Sequence, residues 1–341
     1  MGALAAFAAG LARVRRAPAL LIGACALTLL IALPLSIALR GMLETYFGAS
    51  LAAEAALDGT SHEWWEEFQN GAAGLGLTFV PSIIGFGAVL DQISGVLDNK
   101  PLAVTIAGAA AACVLLWTFL SGGVIDRLAR DRPTRSDGFF AACGRHFWRL
   151  LRLGALALLA YGFLFEWVHP RIFDRTYPLL VRDTTAETTA AAVRAGGYLV
   201  FGALLLIVNV IFDYARIRIV VEDRRSAMAA TGASLRFARL HRGRVCRLYA
   251  LNAAAFLLLV AAYAVLNPGL PAQGPSMWAA LIAGQAYIVA RHFLKLTFYA
   301  SEAALFQSLL AHAEYSAAPP LVWPESPSAE AVANAAGIRN R

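Results

Sequence analysis

The sequence predicts an all-α fold, a polytopic transmembrane helical bundle of six spans with a parallel internal repeat of helical hairpins. Three observations carry that expectation: the composition, six apolar runs of spanning length, and a lopsided distribution of arginine between alternate connections. Of 341 residues, 59% are hydrophobic and only 15% charged, against about 25% charged in an average soluble domain. A chain so depleted in charge is suited to lipid as its solvent.

A helix needs about 20 apolar residues to cross roughly 30 Å of hydrocarbon. The runs Pro18 to Leu39, Leu102 to Ile125, Leu153 to Val168, Gly196 to Phe212, Leu248 to Asn267 and Met277 to about Tyr299 are the candidates. The third and fourth are short and call for extension into their flanks. Trp117, Trp148, Trp167 and Trp278 fall in or near the ends of these runs, where amphipathic rings favour the headgroup region. The first run follows Arg13, Arg15 and Arg16 like a signal peptide. Its length exceeds an apolar signal region of about 7–15 residues, so it is expected to be a retained span.

Only Lys100 and Lys295 of the 29 basic residues are lysine. Three arginines in the N-terminal tail, seven in Asp126 to Arg152, nine in Asp213 to Arg247 and two in the C-terminal tail make 21 on one side. The other side holds six, namely Arg40, Lys100, Arg171, Arg175, Arg182 and Arg194. The positive-inside rule then makes the richer side cytoplasmic, with both termini there and the protein in the inner (plasma) membrane of a bacterium. The expected organisation is a cytoplasmic amphipathic N-terminus over 1–17, a transmembrane domain over 18–311 and a disordered cytoplasmic tail over 312–341. The basic excess fits anionic headgroups as partners. No segment is a soluble domain large enough for a nucleic-acid footprint, so nucleic acid is excluded as a partner.

Gly71 to Leu90 carries no charge but contains Gly74, Gly76, Pro81, Gly85 and Gly87. A seventh crossing there would put the N-terminal arginines opposite the two rich loops, so a re-entrant or surface segment is expected. The surrounding extracytoplasmic connection, 40–101, holds eight acidic residues from Glu44 to Asp98. It is the expected contact region for other envelope proteins.

The two rich loops share the pattern H-x-x-R-x-x-R-L, at His146, Arg149, Arg152 and Leu153 and again at His241, Arg244, Arg247 and Leu248. Each copy leads into an apolar run, and both run in the same direction, as parallel repeats do. A partial third copy starts at Arg291 and His292. Within Phe139 to Arg152, a helical period puts Arg145, Arg149 and Arg152 on one face opposite Phe139, Phe140, Cys143 and Phe147. Such a helix is expected to lie at the inner membrane surface, its arginines with Arg244 and Arg247 touching lipid headgroups.

Ile211 to Tyr263, through Asp213, Arg216, Glu222, Asp223 and the arginine-rich helix that follows, resembles a broad set of bacterial polytopic membrane proteins. That set includes the membrane domain joined to some glycerophosphodiester phosphodiesterases. The resemblance covers about 50 residues and implies a membrane module. The soluble phosphodiesterase domain with its acidic metal ligands has no counterpart in the sequence.

Chemistry-bearing motifs are few, and no cofactor is expected. His62, Glu63 and Glu66 come nearest to a metal motif, without the second histidine of H-E-x-x-H. Docking of Trp64, Trp65 and Phe68 on the membrane surface, with the acids in water, is the preferred account of that helix. Cys25, Cys113, Cys143 and Cys246 show no zinc or redox spacing. Arg291, His292 and Lys295 follow 14 apolar residues from Met277, about 21 Å of helix at roughly 1.5 Å per residue. With Asp126, Asp213 and Glu302 as partners they form a candidate anion or lipid site near the inner end of the last span. The expected function is a non-enzymatic envelope-organisation or assembly module contacting anionic lipid. The alternative is a transporter or lipid-handling permease using that anion site.

Overall fold

The computed structural model describes residues 1–48, 62–79, 86–100, 104–266 and 275–314, and among them the regular structure is helical with no strand. The chain forms α1 (Ala3–Arg15), α2 (Pro18–Phe47), α3 (His62–Gly71), a 3₁₀ turn (Gly74–Thr78) and α4 (Phe86–Leu97). There follow α5 (Val104–Arg130), α6 (Ser136–Phe163), α7 (Tyr177–Val181), α8 (Glu187–Val221), α9 (Ala227–Leu240), α10 (Arg242–Leu266) and α11 (Pro275–Glu314). Five of the described helical stretches are long and apolar enough to cross a membrane: Pro18–Tyr46, Ile106–Arg130, Ser136–Val181, Glu187–Val221 and Arg242–Leu266.

The sixth expected span lies within α11, a 40-residue helix that does not reach the apolarity of those five. Arg291, His292 and Lys295 interrupt it just where its buried half begins. The third apolar stretch is far longer than its sequence run. Two π-helical segments, Leu164–Val168 and Arg171–Thr176, carry α6 on into α7. Pro170 stands between them, where its missing N–H and its ring cannot fit a regular α-turn. The resulting 46 residues reach about 69 Å, so the stretch exceeds the roughly 30 Å hydrocarbon thickness by a wide margin.

Burial divides the molecule along its length. In α8, Phe201 is the one buried residue before Phe212, whereas Phe212, Asp213, Tyr214, Ala215, Ile217, Ile219 and Val220 are all buried. In α11, Tyr287 is the one buried side chain before Leu296, and 299–306 are buried without interruption. The apolar sections leave leucines such as Leu158, Leu159, Leu199 and Leu258 more than two-thirds exposed. Exposure of this kind is stable in lipid, where tails are as apolar as leucine. The densely buried core therefore sits at the arginine-rich end, where α1, α9 and the start of α10 wrap the last turns of α8 and α11.

Small residues set the closest contacts. Ala3, Ala6, Gly10 and Val14 line the buried face of α1, which lies along α11. A Cβ at Gly10 would meet the Ser301 backbone nitrogen at 2.7 Å. Gly123 of α5 is in the same position against α6, where a Cβ would meet Cys143 Sγ at 2.5 Å. Arg13 Nη1 donates to the Leu128 carbonyl at 3.2 Å and to Gln307 Oε1 at 3.1 Å, and Gln307 donates to the Ala129 carbonyl at 3.0 Å. Two carbonyls left open at the end of α5 are thereby satisfied by α1 and α11.

Two expectations meet a different structure. Phe139 to Arg152 is not a separate surface helix: it is continuous with the apolar stretch in α6, burying Ala142, Cys143, His146, Leu150 and Leu153 while Phe140 is exposed. The stripe at i, i+4 and i+7 packs on α5 and outweighs the sorting of arginine from phenylalanine. The proposed repeat units also differ in packing, since α5 and α6 lie closely against each other whereas α8 packs on α6 and α9 and not along α10. His146 lies inside a helix, but His241 ends α9. Within Gly71 to Leu90 the described pieces are the 3₁₀ turn and the start of α4; residues 80–85 lie outside the described residues, as does the tail from 315.

Candidate functional site

A polar cluster lies where the packed end meets the apolar section. Asn209, Asp213 and Arg216 occupy one face of α8 at i, i+4 and i+7, and Lys295, Tyr299 and Glu302 do the same on α11. Asp213 is buried and accepts hydrogen bonds on Oδ2 from Asn209 Nδ2 and from the Tyr249 hydroxyl of α10, both at 2.8 Å. Arg216 Nη1 lies 3.6 Å from Asp213 Oδ1 and donates to the Tyr299 hydroxyl at 3.0 Å. Trp117 of α5 also donates to that hydroxyl, at 3.4 Å. One carboxylate thus ties α8 to α10, the network reaches α11 and α5 through Arg216 and Tyr299, and the carboxylate's lone pairs are used by donors that are themselves fixed by packing.

Glu302 is fully buried. The single proton of the neighbouring Tyr249 hydroxyl is committed to Asp213, and among the described residues neither Glu302 oxygen has a hydrogen-bond partner. Asn252 donates to Ser301 at 3.3 Å beside it. Two buried acids beside a half-buried arginine are costly unless every group is compensated. Arg216 also faces a small cavity of 70 Å³, lined with Ser121, Thr118, Gly154 and Trp117.

The candidate residues read from the sequence separate into two groups. Asp213 and Glu302 come together, and the cation between them is Arg216 of α8, in the place that the sequence assigned to Arg291 and Lys295 of α11. Lys295 Nζ stands 3.7 Å from the centre of the Trp117 ring, a cation–π contact. Thr28 of α2 donates to the Ala24 carbonyl, leaving its oxygen to accept from His292 Nε2 at 2.9 Å. Arg291 is exposed. Among the described residues no acid lies within 4.0 Å of Arg291 or Lys295, and Asp126 pairs instead with Arg130 at 2.8 Å. The i, i+3 spacing of Asp213 and Arg216 on one helix was the sequence signal for the pair that does form.

Of the arginines expected at headgroups, Arg145, Arg152, Arg244 and Arg247 are exposed. Arg149 is not free: it holds the side chain and carbonyl of Asp223 in the turn after α8. That ion pair holds the Asp223 carboxyl below its usual range. Asp223 has φ 52°, and Asp131, in the corresponding turn after α5, has φ 50°. Asp131 pairs with Arg16 at 2.7 Å. Each left-handed turn is thus pinned by an arginine from another helix. At the opposite end, Asp98 accepts from Tyr198 and Ser94, and these bonds lower its affinity for a proton. His169 packs against Phe173 and Phe201 and bonds the Leu97 carbonyl at 2.9 Å.

The metal-like set falls on α3. The side chains of His62 and Glu63 lie outside the described residues, and Glu66 is exposed. Among the described residues no three metal-ligating side chains converge. The chain matches no family model, no curated protein and no solved structure.

Proposed function

We propose that this chain is a six-span inner-membrane module of non-enzymatic character, with both termini cytoplasmic, that organises the envelope by binding anionic lipid at its arginine-rich face. The observation that carries the reading is the coincidence of the densest packing with the arginine-rich end. A rigid cap, in which the N-terminal halves of α6 and α10 pack with α1, α9 and the ends of α8 and α11, holds Arg145 and Arg152 of α6 and Arg244 and Arg247 of α10 exposed at its surface. Arginines on a fixed scaffold lose less freedom on meeting a phosphate than those on a mobile tail. Six spans, counting α11, and the split of 21 basic residues against six give the orientation.

Thermal unfolding in lipid nanodiscs tests this function. The protein in phosphatidylglycerol discs is expected to unfold several degrees above the protein in phosphatidylcholine discs. Replacing all four arginines by glutamine should remove that difference. Equal unfolding temperatures of the wild type in the two lipids would overturn the reading.

A second reading, a transporter or lipid-handling permease, is favoured by one observation, the buried acids Asp213 and Glu302 facing Arg216. Ionisable groups at such depth often mark a pathway. A pathway reading requires proton or anion flux in sealed vesicles that Glu302→Gln abolishes.

A further inference from the structure

The apolar helix α2 touches α11 through Thr28 and His292 but is exposed along most of its length. Ala24 is its one buried side chain among those described, and a groove of 790 Å³ opens between it and the facing parts of α5 and α6. That volume is within the range of about 300–1,000 Å³ usual for ligand sites. Its walls are apolar, with Leu20, Gly23, Leu27 and Leu30 on α2 facing Leu120 and Val124 on α5 and Phe139 on α6. Its other end is polar and is formed by Arg16, Arg127, Thr134 and Ser136.

Arg127 sets the chemistry of that end. The residue is only 8% exposed. Its Nη2 donates to the Arg16 carbonyl at 3.2 Å, and among the described residues its Nη1 has no partner. Arg16 is neutralised by Asp131, so the polar end carries one uncompensated positive charge. A buried guanidinium with an idle donor is costly unless an acceptor arrives. The occupant that satisfies both ends has a single negative charge attached to aliphatic chains.

We propose that this groove is a binding site for one diacyl glycerophospholipid, its phosphodiester on Arg127 and an acyl chain along α2 between Leu20 and Leu30. The site rests on the reading that the arginine-rich end faces the inner leaflet. It is distinct from the exposed arginines of that face. It holds one lipid molecule by shape, whereas they attract headgroups by charge.

Native mass spectrometry of the intact protein in mild detergent, titrated with dioleoylphosphatidylglycerol, counts the bound lipids. The wild type is expected to retain one tightly bound lipid that millimolar inorganic phosphate does not displace. Arg127→Gln should weaken it at least tenfold. Gly23→Leu provides a second variant that is safe for folding, since a Cβ at Gly23 meets nothing within 4 Å. Its side chain fills the groove and should weaken binding to a similar extent. Retention of the tight lipid in both variants overturns the site, as does displacement by phosphate alone, which would make the ligand a free anion. The variant lacking Arg145, Arg152, Arg244 and Arg247 keeps the groove and should keep its lipid. Loss of the general lipid effect and loss of this site therefore give separate results.

Discussion

Burial of charge decides the behaviour of single residues in this protein. Glu302 is enclosed beside Tyr249, whose one proton goes to Asp213, and among the described residues neither of its oxygens receives a hydrogen bond, while Asp213 has two donors and a cation. Removing an uncompensated buried acid costs little, because an apolar side chain of similar volume recovers the desolvation. Glu302→Met is therefore expected to unfold at the same temperature as the wild type or above it, by differential scanning fluorimetry in detergent. Asp213→Ala leaves Asn209 and Tyr249 without their acceptor and Arg216 without its paired carboxylate, and should lose about 3 kcal/mol or more. His241 titrates in a useful range. Burial against Phe237, and secondarily the charge of Arg244, push its pKa below the ordinary value of 6.5. The unfolded chain then binds the proton more readily, so the stability tied to neutral His241 is complete above about pH 6.5 and is lost as pH falls below it. The stability difference between wild type and His241→Gln should shrink between pH 7.5 and 5.5. A difference that grows on acidification contradicts the sign.

At the scale of elements, glycines such as Gly10 and Gly123 set the closest helix contacts at the packed end, whereas a Cβ at Gly108, Gly154, Gly162 or Gly202 of the apolar sections would meet nothing within 4 Å. Gly10→Ala forces α1 from the Ser301 backbone of α11, where its Cβ would lie 2.7–2.9 Å from three atoms. A loss of about 1–3 kcal/mol follows from overpacking. Gly154→Ala meets no atom within 4 Å and faces the small cavity beside Arg216. It should gain about 0.5–1 kcal/mol from helix propensity. Thermal unfolding of the two variants should therefore move in opposite directions. Equal destabilisation would mean that α1 is not docked on α11 as described.

The whole molecule has two solvents. The apolar sections are held by few buried contacts, and the arginine-rich end has a packed core of the kind found in water-soluble domains. Under the six-span proposal that end is cytoplasmic. Reporter fusions after Lys100 and after Arg152 should give opposite compartments, with the Arg152 fusion inside. An Arg152 fusion reading outside removes the orientation.

The sequence by itself determined the helical class and where most of the long helices lie, because hydropathy over 20 residues is a sum that no single contact can change. Its two shortest runs, expected to extend into their flanks, do so: the stretches around Leu153 and Gly196 reach 46 and 35 residues, since polar residues continue a helix once it leaves lipid. The sequence could also list the acids and bases near the arginine-rich end. Which of them meet was decided only by tertiary packing. Arg291 and Lys295 lie close to Glu302 along the chain, yet Arg216, from another helix, faces the acids, and Lys295 turns to Trp117. Likewise Arg149 carries the same local pattern as Arg244, but only Arg149 has Asp223 in reach. Pairing depends on the rotation of each helix about its axis, and that rotation is fixed by close contacts such as Gly10 on Ser301 and Gly123 on Cys143. Periodicity gives each helix a face; the neighbour that face meets is a property of the assembled bundle.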